Sequence, residues 1–502
     1  MRFSTVVLSF ACVSAAFGQP NSSFYVATTG SDSNPGTQSA PWRTVQRAAD
    51  TARAGSIVNV RGGIYEELVN INASGNASDG FITLRSYPGE TAVLDATRFT
   101  PTGRQAVLTI HNQSYVRIEG FEIRNFRTAI HRLSPLGISV MGSGSHIELL
   151  KNNVHHIEQT FDGRDAPGHG DNGFGIAVYG TDAKMPITDL IIDGNEVHHL
   201  KTGSSESLVV NGNVTNFRIT HNVVHDNNNI GIDVIGFERT APDPAVDQAR
   251  DGVVSGNLVY NIHSRGNPAY QNEENSDGIY VDGGTRILIE QNVIHDDDFG
   301  IELASEHKDR ATSYITARNN LIYHCHTAGV SIGGYAPERG HTDHSTVVNN
   351  TLYDNDTSGT GSGEFQMQWN MAGNIFANNI VYAGPRCLIS TNKSQLDKSQ
   401  PSVTIDHNLY YCASRAQAST WAGSSATVTG FDKYVESSGN DRHSRFLDPH
   451  FVDASAHNFH LRSDSPAIDA GTTDGVPVGE LDLDGAPRVR SGKVDIGCYQ
   501  RQ

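Results

Sequence analysis

A short phrase recurs along the middle of the chain, in which an asparagine is followed by a mostly aliphatic pair and then by a histidine or tyrosine. It occurs at Asn153-Val154-His155, Asn195-Glu196-Val197-His198, Asn222-Val223-Val224-His225, Asn257-Leu258-Val259-Tyr260, Asn292-Val293-Ile294-His295, Asn320-Leu321-Ile322-Tyr323, Asn350-Thr351-Leu352-Tyr353, Asn379-Ile380-Val381-Tyr382 and Asn408-Leu409-Tyr410-Tyr411. From Asn195 onward, successive asparagines lie 27 to 35 residues apart. A period of this size, with one short apolar strand per repeat, is typical of a solenoid in which each phrase belongs to one coil. The repeat therefore predicts an all-β chain wound as a stacked parallel β-helix.

The polar residues of the phrase predict how the corners of the coils are built. Asparagine tolerates the left-handed backbone conformation of a tight corner, and asparagines stacked on successive coils can exchange amide hydrogen bonds. The histidines could form a metal-binding ladder, but a stack of half-buried rings at an equivalent corner is the simpler interpretation, so we assign no metal there. These histidines are His155, His198, His225, His295 and His324.

Composition agrees with a chain of short strands and many turns. The 502 residues include 50 glycines and only 37% hydrophobic residues, as expected if each strand buries one side. The formal net charge of −18 argues against a nucleic-acid partner, because nucleic acids favour basic surfaces. No segment beyond the N-terminus is apolar enough to span a membrane. We therefore expect a monomer with neither a nucleic-acid nor a membrane partner.

The N-terminus predicts secretion. Arg2 precedes an apolar run from Val6 to Ala16, and Ala16-Phe17-Gly18 has the small residues of a signal-peptide cleavage site. We exclude residues 1–18 from the fold as a signal peptide and expect an extracellular protein. Asn-x-Ser/Thr sequons would suit a secreted glycoprotein. They lie at Asn21, Asn72, Asn76, Asn112, Asn213, Asn349, Asn355 and Asn392.

Four cysteines remain after such a signal peptide, at positions 325, 387, 412 and 498, in a compartment that permits disulfides. Cys387 and Cys412 lie about one coil apart in the repeat, so we predict a disulfide between them. The chain has no C-x-x-C spacing, which disfavours a zinc site.

Residues 24–67 precede the repeats and predict a strand, a turn, one helix from Thr44 to Ala54 and a further strand. A lone helix before a run of strands suits a cap over the open end of a solenoid. This stretch resembles the N-terminal part of many secreted proteins of the pectate-lyase-like superfamily. The resemblance implies a single-stranded right-handed parallel β-helix with an N-terminal capping helix.

We accordingly divide the chain after the signal peptide into three parts. Residues 19–113 form the N-terminal cap and first coils, residues 114–445 form the β-helix repeats with the active face, and residues 446–502 form a C-terminal closing segment.

Residues 276–310, SDGIYVDGGTRILIEQNVIHDDDFGIELASEHKDR, concentrate ionisable groups in two consecutive strand-like segments. Gly278–Asp282 and Gly300–Leu303 alternate apolar and outward-pointing residues, which is the period of a half-buried strand. The coils beside this stretch carry extra loops, Phe237–Gln248 and His263–Asn275. Insertions on one side of a solenoid usually line its binding face, so we predict the active face here.

Alignment of the coils on their Gly-Ile strands predicts which side chains share this face. One outward column contains Ala177, Asp233, Tyr280, Glu302 and Ser331, and Asp282 follows two residues after Tyr280. Strand and coil spacings put the backbones of Asp282 and Glu302 roughly 8 Å apart, so both carboxylates would face one sugar-sized space. Mutual repulsion among the acidic groups should raise the pKa of the most shielded one. The predicted substrate-binding residues are Asp233, Asp277, Tyr280, Glu306, His307, Lys308 and Arg310.

Glycoside hydrolysis uses such a pair, one carboxylic acid to protonate the leaving oxygen and one carboxylate to attack the anomeric carbon or activate water. The segments GIYVD and GIELASEH resemble the paired strand motifs of the β-helical β-xylosidases of glycoside hydrolase family 120. The resemblance implies that Asp282 is the nucleophile and Glu302 the acid/base of an enzyme that acts on oligo- or polysaccharides. No cofactor is required for this chemistry.

Two alternatives stay open. In a calcium-dependent polysaccharide lyase, Asp277, Asp296, Asp297 and Asp298 could supply oxygen ligands to Ca²⁺, and Lys308 or Arg310 could remove the proton. Nearby carboxylates would raise the pKa of such a lysine, which disfavours this alternative. A non-catalytic carbohydrate-binding β-helix would instead stack aromatic side chains such as Tyr280 on sugars.

Overall fold

The computed structural model describes residues 22–162, 171–384, 387–391, 403–412, 420–423 and 427–502. Within these ranges the chain passes repeatedly through three long sheets and adds a strand to each in turn. Two α-helices accompany the sheets in the described part, α1 (Val45–Thr51) and α2 (Phe431–Ser438). The predicted signal peptide and the sequons at Asn21 and Asn392 lie outside the described residues.

The three sheets consist almost entirely of parallel strands stacked coil on coil. The first contains Ser23–Val26, Ile57–Val60, Ile82–Ser86, Val116–Glu119, Gly144–Leu150, Ile187–Asp193, Val214–Thr220, Arg250–Ser255, Thr285–Glu290, Thr316–Arg318, Thr346–Val348, Asn374–Ala377 and Val403–Asp406, with Ala311–Ser313, His341–Asp343 and Met371–Ala372 beside them. The second contains Val69–Ile71, Arg104–His111, Ser134–Gly142, Phe174–Gly180, Leu208–Gly212, Ile232–Ile235, Asp277–Asp282, Phe299–Ala304, Ala328–Ile332, Phe365–Met367, Ile389–Thr391, Thr420–Gly423 and, antiparallel, Thr427–Thr429. The third contains Gly63–Tyr65, Ala92–Asp95, Phe121–Thr128, Asn153–Gln159, Glu196–His198, Val223–Asn227, Leu258–Ile262, Val293–His295, Leu321–Tyr323, Thr351–Tyr353, Ile380–Ala383, Leu409–Cys412 and Arg445–Phe446. An antiparallel pair, Phe451–Asp453 and Asn458–Leu461, follows the third sheet in the chain.

The core lies between the sheets and consists of the inward-facing half of each strand. In the coils that carry the acidic stretch, Ile279, Val281, Ile301 and Leu303 are all fully buried. Burial of an aliphatic side chain of this size stabilises the fold by roughly 1.5–3 kcal/mol, so the alternation fixes which residues face outward. We label four neighbouring strands of the second sheet β1 (Ile232–Ile235), β2 (Asp277–Asp282), β3 (Phe299–Ala304) and β4 (Ala328–Ile332).

A ladder of buried asparagines runs along one corner and confirms the predicted stacking. Asn292, for example, accepts from the backbone and side-chain amides of Asn257 and donates to Asn320 Oδ1, at 2.9 Å in each case. The members of the ladder are Asn152, Asn195, Asn222, Asn257, Asn292, Asn320, Asn350, Asn379 and Asn408. In the first of these coils the prediction chose Asn153, which is wrong by one residue, because Asn153 already lies in the strand opposite Glu196.

The left-handed conformation at this corner belongs to the residue before each ladder asparagine. Lys151, Gly194, His221, Gly256, Gln291, Asn319, Asn349, Asn378 and His407 all have φ between 53° and 66°. The ladder asparagines themselves are absent from the residues with positive φ. The prediction that the repeated asparagine itself occupies the left-handed position is therefore wrong; its side chain instead serves neighbouring coils as donor and acceptor.

The rings of the repeated phrase also stack, as the structural interpretation predicted, except that His324 was included wrongly. His324 has a φ of 57°, and its ring stands edge-on to that of Tyr323, which occupies the column position in that coil. His155, His198, His225, Tyr260, His295 and Tyr323 form one column with centroids 4.8–5.1 Å apart. Burial lowers the pKa of His198 to about 4, so this imidazole is neutral in the stack near neutral pH.

Three of the predicted glycosylation sequons lie in this packed interior. Asn213, Asn349 and Asn355 are each at most 1% exposed, so the fold leaves no room for a glycan on them. Asn349 donates to the Asp495 carbonyl oxygen at 2.9 Å, which ties the C-terminal segment to the β-helix.

Helix α1 is shorter than predicted. It begins at Val45, after the side chain of Thr44 accepts a hydrogen bond from the Arg47 amide, and ends at Thr51. Val45, Ala48 and Ala49 are its buried residues. Its role as a cap stays a prediction.

Cys387 and Cys412 are both buried near the far end of the β-helix. The Cys387 sulfur lies 3.2 Å from the Gly361 carbonyl oxygen, and the Cys412 sulfur lies 2.9 Å from the Gly384 carbonyl oxygen. The disulfide between them stays a prediction.

Candidate active site

The predicted column of outward-facing residues exists. Asp233 on β1 pairs with Tyr280 on β2, Tyr280 pairs with Glu302 on β3, and Glu302 pairs with Ser331 on β4. Asp282, two residues beyond Tyr280, lies opposite Ala304. The predicted register is therefore confirmed from Asp233 onward.

One coil was missed at the start of the column. Val209, on the strand Leu208–Gly212, lies between Ala177 and Asp233. That strand begins Leu208-Val209-Val210 and lacks the Gly-Ile signature on which the alignment rested.

A cleft of about 740 Å³ opens beside this column. Its acidic lining residues are Glu206, Asp233, Glu238, Asp282 and Glu306, and its aromatic lining residues are Phe174, Tyr179, Tyr270 and Tyr280. Glu238 and Tyr270 come from the two inserted loops that were predicted to line the active face. A volume of this size accommodates a small sugar-sized ligand, and the aromatic rings offer surfaces on which sugars can stack.

Glu302 occupies a half-buried position beside Tyr280 and is held by several hydrogen bonds. Ser331 Oγ donates to Glu302 Oε1 at 3.3 Å and Gln368 Nε2 donates to it at 3.1 Å. Burial and the charge of Glu302 raise the pKa of the neighbouring Asp277 carboxyl well above its usual value. Burial raises the pKa of Glu302 to about 7 although these hydrogen bonds oppose the shift. This pKa suits a group that gives and takes a proton near neutral pH.

Asp282 points into the cleft from the end of β2. It is only 5% exposed, and its Oδ1 accepts a hydrogen bond from the Glu306 amide at 2.8 Å. Burial and the nearby Glu306 carboxylate raise the pKa of Asp282 well above its usual value. Carboxylate oxygens of Asp282 and Glu238 and a ring nitrogen of His307 approach one another within 4.8 Å, so His307 lies near Asp282.

The acidic groups of the cleft perturb one another as the sequence predicted. Burial and the neighbouring Glu238 raise the pKa of Glu206 to about 8. Burial, with the charges of Glu206 and Asp282, raises the pKa of Asp233 well above its usual value. One oxygen of Asp233 is buried without a hydrogen-bond partner in the described part of the chain. The cleft therefore combines carboxyl groups whose pKa values are raised by burial and by one another.

Four predicted substrate-binding residues, Asp277, His307, Lys308 and Arg310, are absent from the cleft lining, and so is the predicted acid/base Glu302. The two cations lie elsewhere. Lys308 lines a separate depression of about 390 Å³ together with Asp309, Arg339 and His341. The guanidinium of Arg310 lies 4.9 Å from the Phe237 ring centroid and is absent from the cleft lining. The chain turns away at the corner after β3, so the structure brings Glu306 to the cleft but neither of these two cations.

The four aspartates considered as calcium ligands do not converge. Asp296 accepts from His295 at 2.7 Å, Asp297 is fully buried and accepts from the Ile262 amide, and Asp277 is buried on β2 opposite Phe299. Asp298 is fully buried and accepts from Ser264, Ser276 and His263. Among the described residues, no three of these aspartates place ligand atoms within 4.8 Å of one another. The described structure therefore does not bring these aspartates together as ligands of one calcium ion, as the lyase alternative would need.

Sequence reasoning missed Glu206 and Arg104. The Arg104 guanidinium lies 3.8 Å from the Tyr179 ring centroid in the cleft wall, and its charge opposes the rise in the pKa of Glu206. Glu206 precedes the coil that the alignment skipped, and Arg104 begins a strand more than a hundred residues before Asp233. Only the closing of successive coils brings them together, so no local signal marks either residue.

Two protein-family models match the chain. A Pel9A-like right-handed β-helix region matches residues 24–176, and a right-handed β-helix region matches residues 245–432. The YwoF protein of Bacillus subtilis (strain 168) is 36% identical over 445 residues, which is 88% of this chain and 91% of that protein. Pectate lyase PEL9 of Emericella nidulans is 34% identical over 131 residues, which is 25% of this chain and 32% of that protein.

Solved structures share the fold at low identity. Pectate lyase Pel9A matches with a TM-score of 0.50 and 14% identity over 97% of this chain and 98% of that chain. XylC in complex with xylose matches with a TM-score of 0.51 and 12% identity over 95% of this chain and 98% of that chain. A GH136 lacto-N-biosidase from Eubacterium ramulus matches with a TM-score of 0.52 and 14% identity over 78% of this chain and 64% of that chain. Together with the family models, these matches confirm a right-handed parallel β-helix of the pectate-lyase-like type. Neither helix of the described chain is long and apolar enough to cross a bilayer.

Proposed function

The chain belongs to the right-handed parallel β-helix family of YwoF, within the pectate-lyase-like group of carbohydrate-active proteins, and on this premise we propose that it is a secreted glycoside hydrolase. Asp282 acts as the nucleophile and Glu302 as the acid/base. The observation that carries the proposal is their placement on neighbouring coils, with Asp282 in the cleft and Glu302 at a pKa of about 7. A protonated acid beside an oxygen nucleophile is the pair that glycoside cleavage uses.

The substrate is a neutral plant or microbial glycan. Five carboxyl groups line the cleft, and their negative potential disfavours a chain of uronates. The rings of Tyr179, Tyr270 and Tyr280 offer apolar surfaces for the faces of neutral sugars. A xylose complex and a lacto-N-biosidase among the similar structures are consistent with small neutral sugars.

A polysaccharide lyase is the competing function, because lyases also occur among the similar proteins. The Pel9A-like match, however, ends at residue 176, before every acidic residue of the cleft. No lysine lines the cleft within the described residues. The sequence match to the Pel9A-like family model therefore does not reach the part of the chain that carries the candidate chemistry, and over that part the likeness to Pel9A is one of fold.

We expect the purified protein to release new reducing ends from a panel of plant and microbial glycans without the ultraviolet absorbance near 235 nm that an unsaturated uronate gives. Water adds across the broken bond in hydrolysis, whereas elimination leaves a double bond in the product. Reducing-end and absorbance assays run on the same samples distinguish the two reactions. Release should be lost in Glu302→Gln, and Lys308→Gln serves as a control that should retain activity.

A rise of absorbance with polyuronate substrates, dependent on added Ca²⁺ and retained in Glu302→Gln, would overturn the hydrolase. Binding of glycans without any product, unaffected by Asp282→Asn, would support the non-catalytic alternative instead.

Activity should fall as the pH rises through about 7, because Glu302 must be protonated to act as the acid and its pKa is about 7. Gln368 donates to the ionised form of Glu302 and thereby lowers this pKa. Gln368→Ala should therefore move the alkaline limb of kcat/KM to higher pH. The measurement is a pH profile with a substrate whose leaving group needs protonation. An alkaline limb at the same pH in Gln368→Ala would argue against Glu302 as the acid.

A further inference from the structure

Two histidines and one aspartate meet at a corner outside the cleft. His263, Asp298 and His326 occupy equivalent positions on three successive coils, because the Asp298 amide donates to the Ile262 carbonyl and the Thr327 amide donates to the Asp298 carbonyl. Coils two apart are separated by about 9–10 Å. The rings of His263 and His326 nevertheless stack over Asp298 with centroids 4.6 Å apart and planes at 2°. Both imidazoles thus lean toward the short side chain between them.

The two oxygens of the Asp298 carboxylate have different neighbours. Its Oδ2 accepts from the Ser264 amide at 2.9 Å, the Ser264 hydroxyl at 3.0 Å and the Ser276 amide at 3.1 Å. Its Oδ1 faces the two rings, 3.2 Å from His263 Nδ1 and 3.4 Å from His326 Nδ1. The side chain is completely buried. Oδ2 therefore accepts three hydrogen bonds, whereas Oδ1 faces His263 and His326.

Hydrogen bonds within the described chain do not satisfy every polar atom of this cluster. His326 Nδ1 is buried and forms no well-aligned hydrogen bond among the described residues, although it lies near Asp298 Oδ1 and 3.7 Å from Glu274 Oε1. Ligand atoms of His263, Asp298 and His326 all lie within 4.8 Å of one another. Two ligands placed 2.0–2.1 Å from a tetrahedral metal are separated by about 3.3 Å, which is close to the observed nitrogen–oxygen distances. Because an imidazole lone pair lies in the ring plane and the two rings are parallel, binding of one ion by both requires one ring to turn about its χ2.

We propose that His263, Asp298 and His326 bind a divalent transition-metal ion of the Zn²⁺ class. Two imidazole nitrogens and one carboxylate oxygen suit Zn²⁺, whereas Ca²⁺ takes six to eight oxygen ligands. Glu274, which Arg265 holds at 3.1 Å, supplies a further oxygen beside the site. The hydrogen bonds from Ser264 and Ser276 to Asp298 Oδ2 orient the ligating carboxylate, as outer partners do in metal sites.

The site would brace the loop that forms one wall of the cleft. Asp298 Oδ2 joins the amides of Ser264 and Ser276, which stand at the two ends of the inserted loop. Within that loop Tyr270 lines the cleft, and its hydroxyl accepts from Asn229 at 3.3 Å. The metal is therefore a structural ion that fixes the position of Tyr270 and takes no part in bond cleavage. This inference does not rest on the proposed hydrolase activity.

The test uses the full-length protein without a histidine tag, stripped of metal with a chelator, loaded with ZnCl₂ and passed through gel filtration. Elemental analysis should find one Zn²⁺ per chain in the wild type and less than a tenth of that in His263→Gln and His326→Gln. His443→Gln alters a second, more exposed group of Asp406, His407 and His443 and should retain the ion. With Co²⁺, the wild type should give the visible absorption of a low-coordinate site, and His326→Gln should not.

Equal zinc content in the wild type and His326→Gln, or no zinc retained by the wild type, would overturn the site. Displacement of Zn²⁺ by a tenfold excess of Ca²⁺ would overturn its assignment to a transition metal. His263→Gln and His326→Gln replace partly exposed side chains. Their folding is verified if their unfolding midpoints equal that of the metal-free wild type. Zinc should raise the unfolding midpoint of the wild type and leave that of His326→Gln unchanged.

Discussion

Asp282→Asn should lower kcat/KM for glycan cleavage by roughly 10³-fold or more, since an amide can neither attack the anomeric carbon nor take a proton from an attacking water, and loss of such a group typically reduces rates by 10²–10⁴. The fold should survive, because an asparagine oxygen can still accept the hydrogen bond that the Glu306 amide donates to Asp282 at 2.8 Å. Burial holds the pKa of Asp282 well above its usual value, so ionised Asp282 destabilises the fold. The variant should therefore be as stable as the wild type or more stable at pH 8. Steady-state kinetics and thermal unfolding on the same preparation measure both effects.

Asp309→Asn is the matched control for this substitution. Asp309 is exposed, lines the separate depression and has a φ of 61°, which asparagine adopts readily. Its replacement should leave kcat/KM within about twofold, in keeping with a surface change away from the site. If Asp282→Asn kept more than a tenth of the wild-type activity, Asp282 would not be the nucleophile. If Asp309→Asn lost as much activity as is expected of Asp282→Asn, the effect would not be specific to the cleft.

The fold could be predicted because one phrase repeats on every coil. Alternation of apolar residues fixed the inward face, and the asparagine spacing fixed the coil length. The choice between Asn152 and Asn153 could not be made locally, since two adjacent asparagines satisfy the same pattern and only the pairing of Asn153 with Glu196 separates them. The left-handed position was likewise missed because lysine, glutamine, histidine, glycine and asparagine all occupy it.

The site could be predicted only where its residues follow a Gly-Ile strand. Asp233, Tyr280 and Glu302 share a column because strand pairing preserves the register from coil to coil. Glu206 was not predicted because its coil lacks the Gly-Ile strand. Lys308 was wrongly predicted to line the cleft because the sequence does not indicate the direction in which the chain turns after β3. Burial raises the pKa of Glu302, and Ser331 and Gln368, whose hydrogen bonds oppose that rise, follow in later coils and become its neighbours only after folding.

Asn292→Ala should destabilise the β-helix by roughly 3–5 kcal/mol, because each buried group left without its hydrogen-bond partner costs about 1–3 kcal/mol. Asn292 is fully buried in the middle of the ladder. Its loss leaves the Asn257 backbone amide without an acceptor and the Val254 carbonyl without the Asn292 donor at 3.0 Å. Equilibrium unfolding in urea gives the change in the free energy of unfolding.

Asn153→Ala separates this ladder effect from the general loss of an asparagine at a corner. Asn153 is half-buried, and its side chain contacts Glu196 and His198, each at 3.0 Å, without serving a buried backbone amide. Its replacement should cost about 1 kcal/mol or less. Because each coil contacts only its neighbours, hydrogen exchange in Asn292→Ala should increase first at the amides of Asn257 and nearby coils. Equal destabilisation by the two variants would contradict a ladder that starts at Asn152 and would restore the register that the sequence alone suggested.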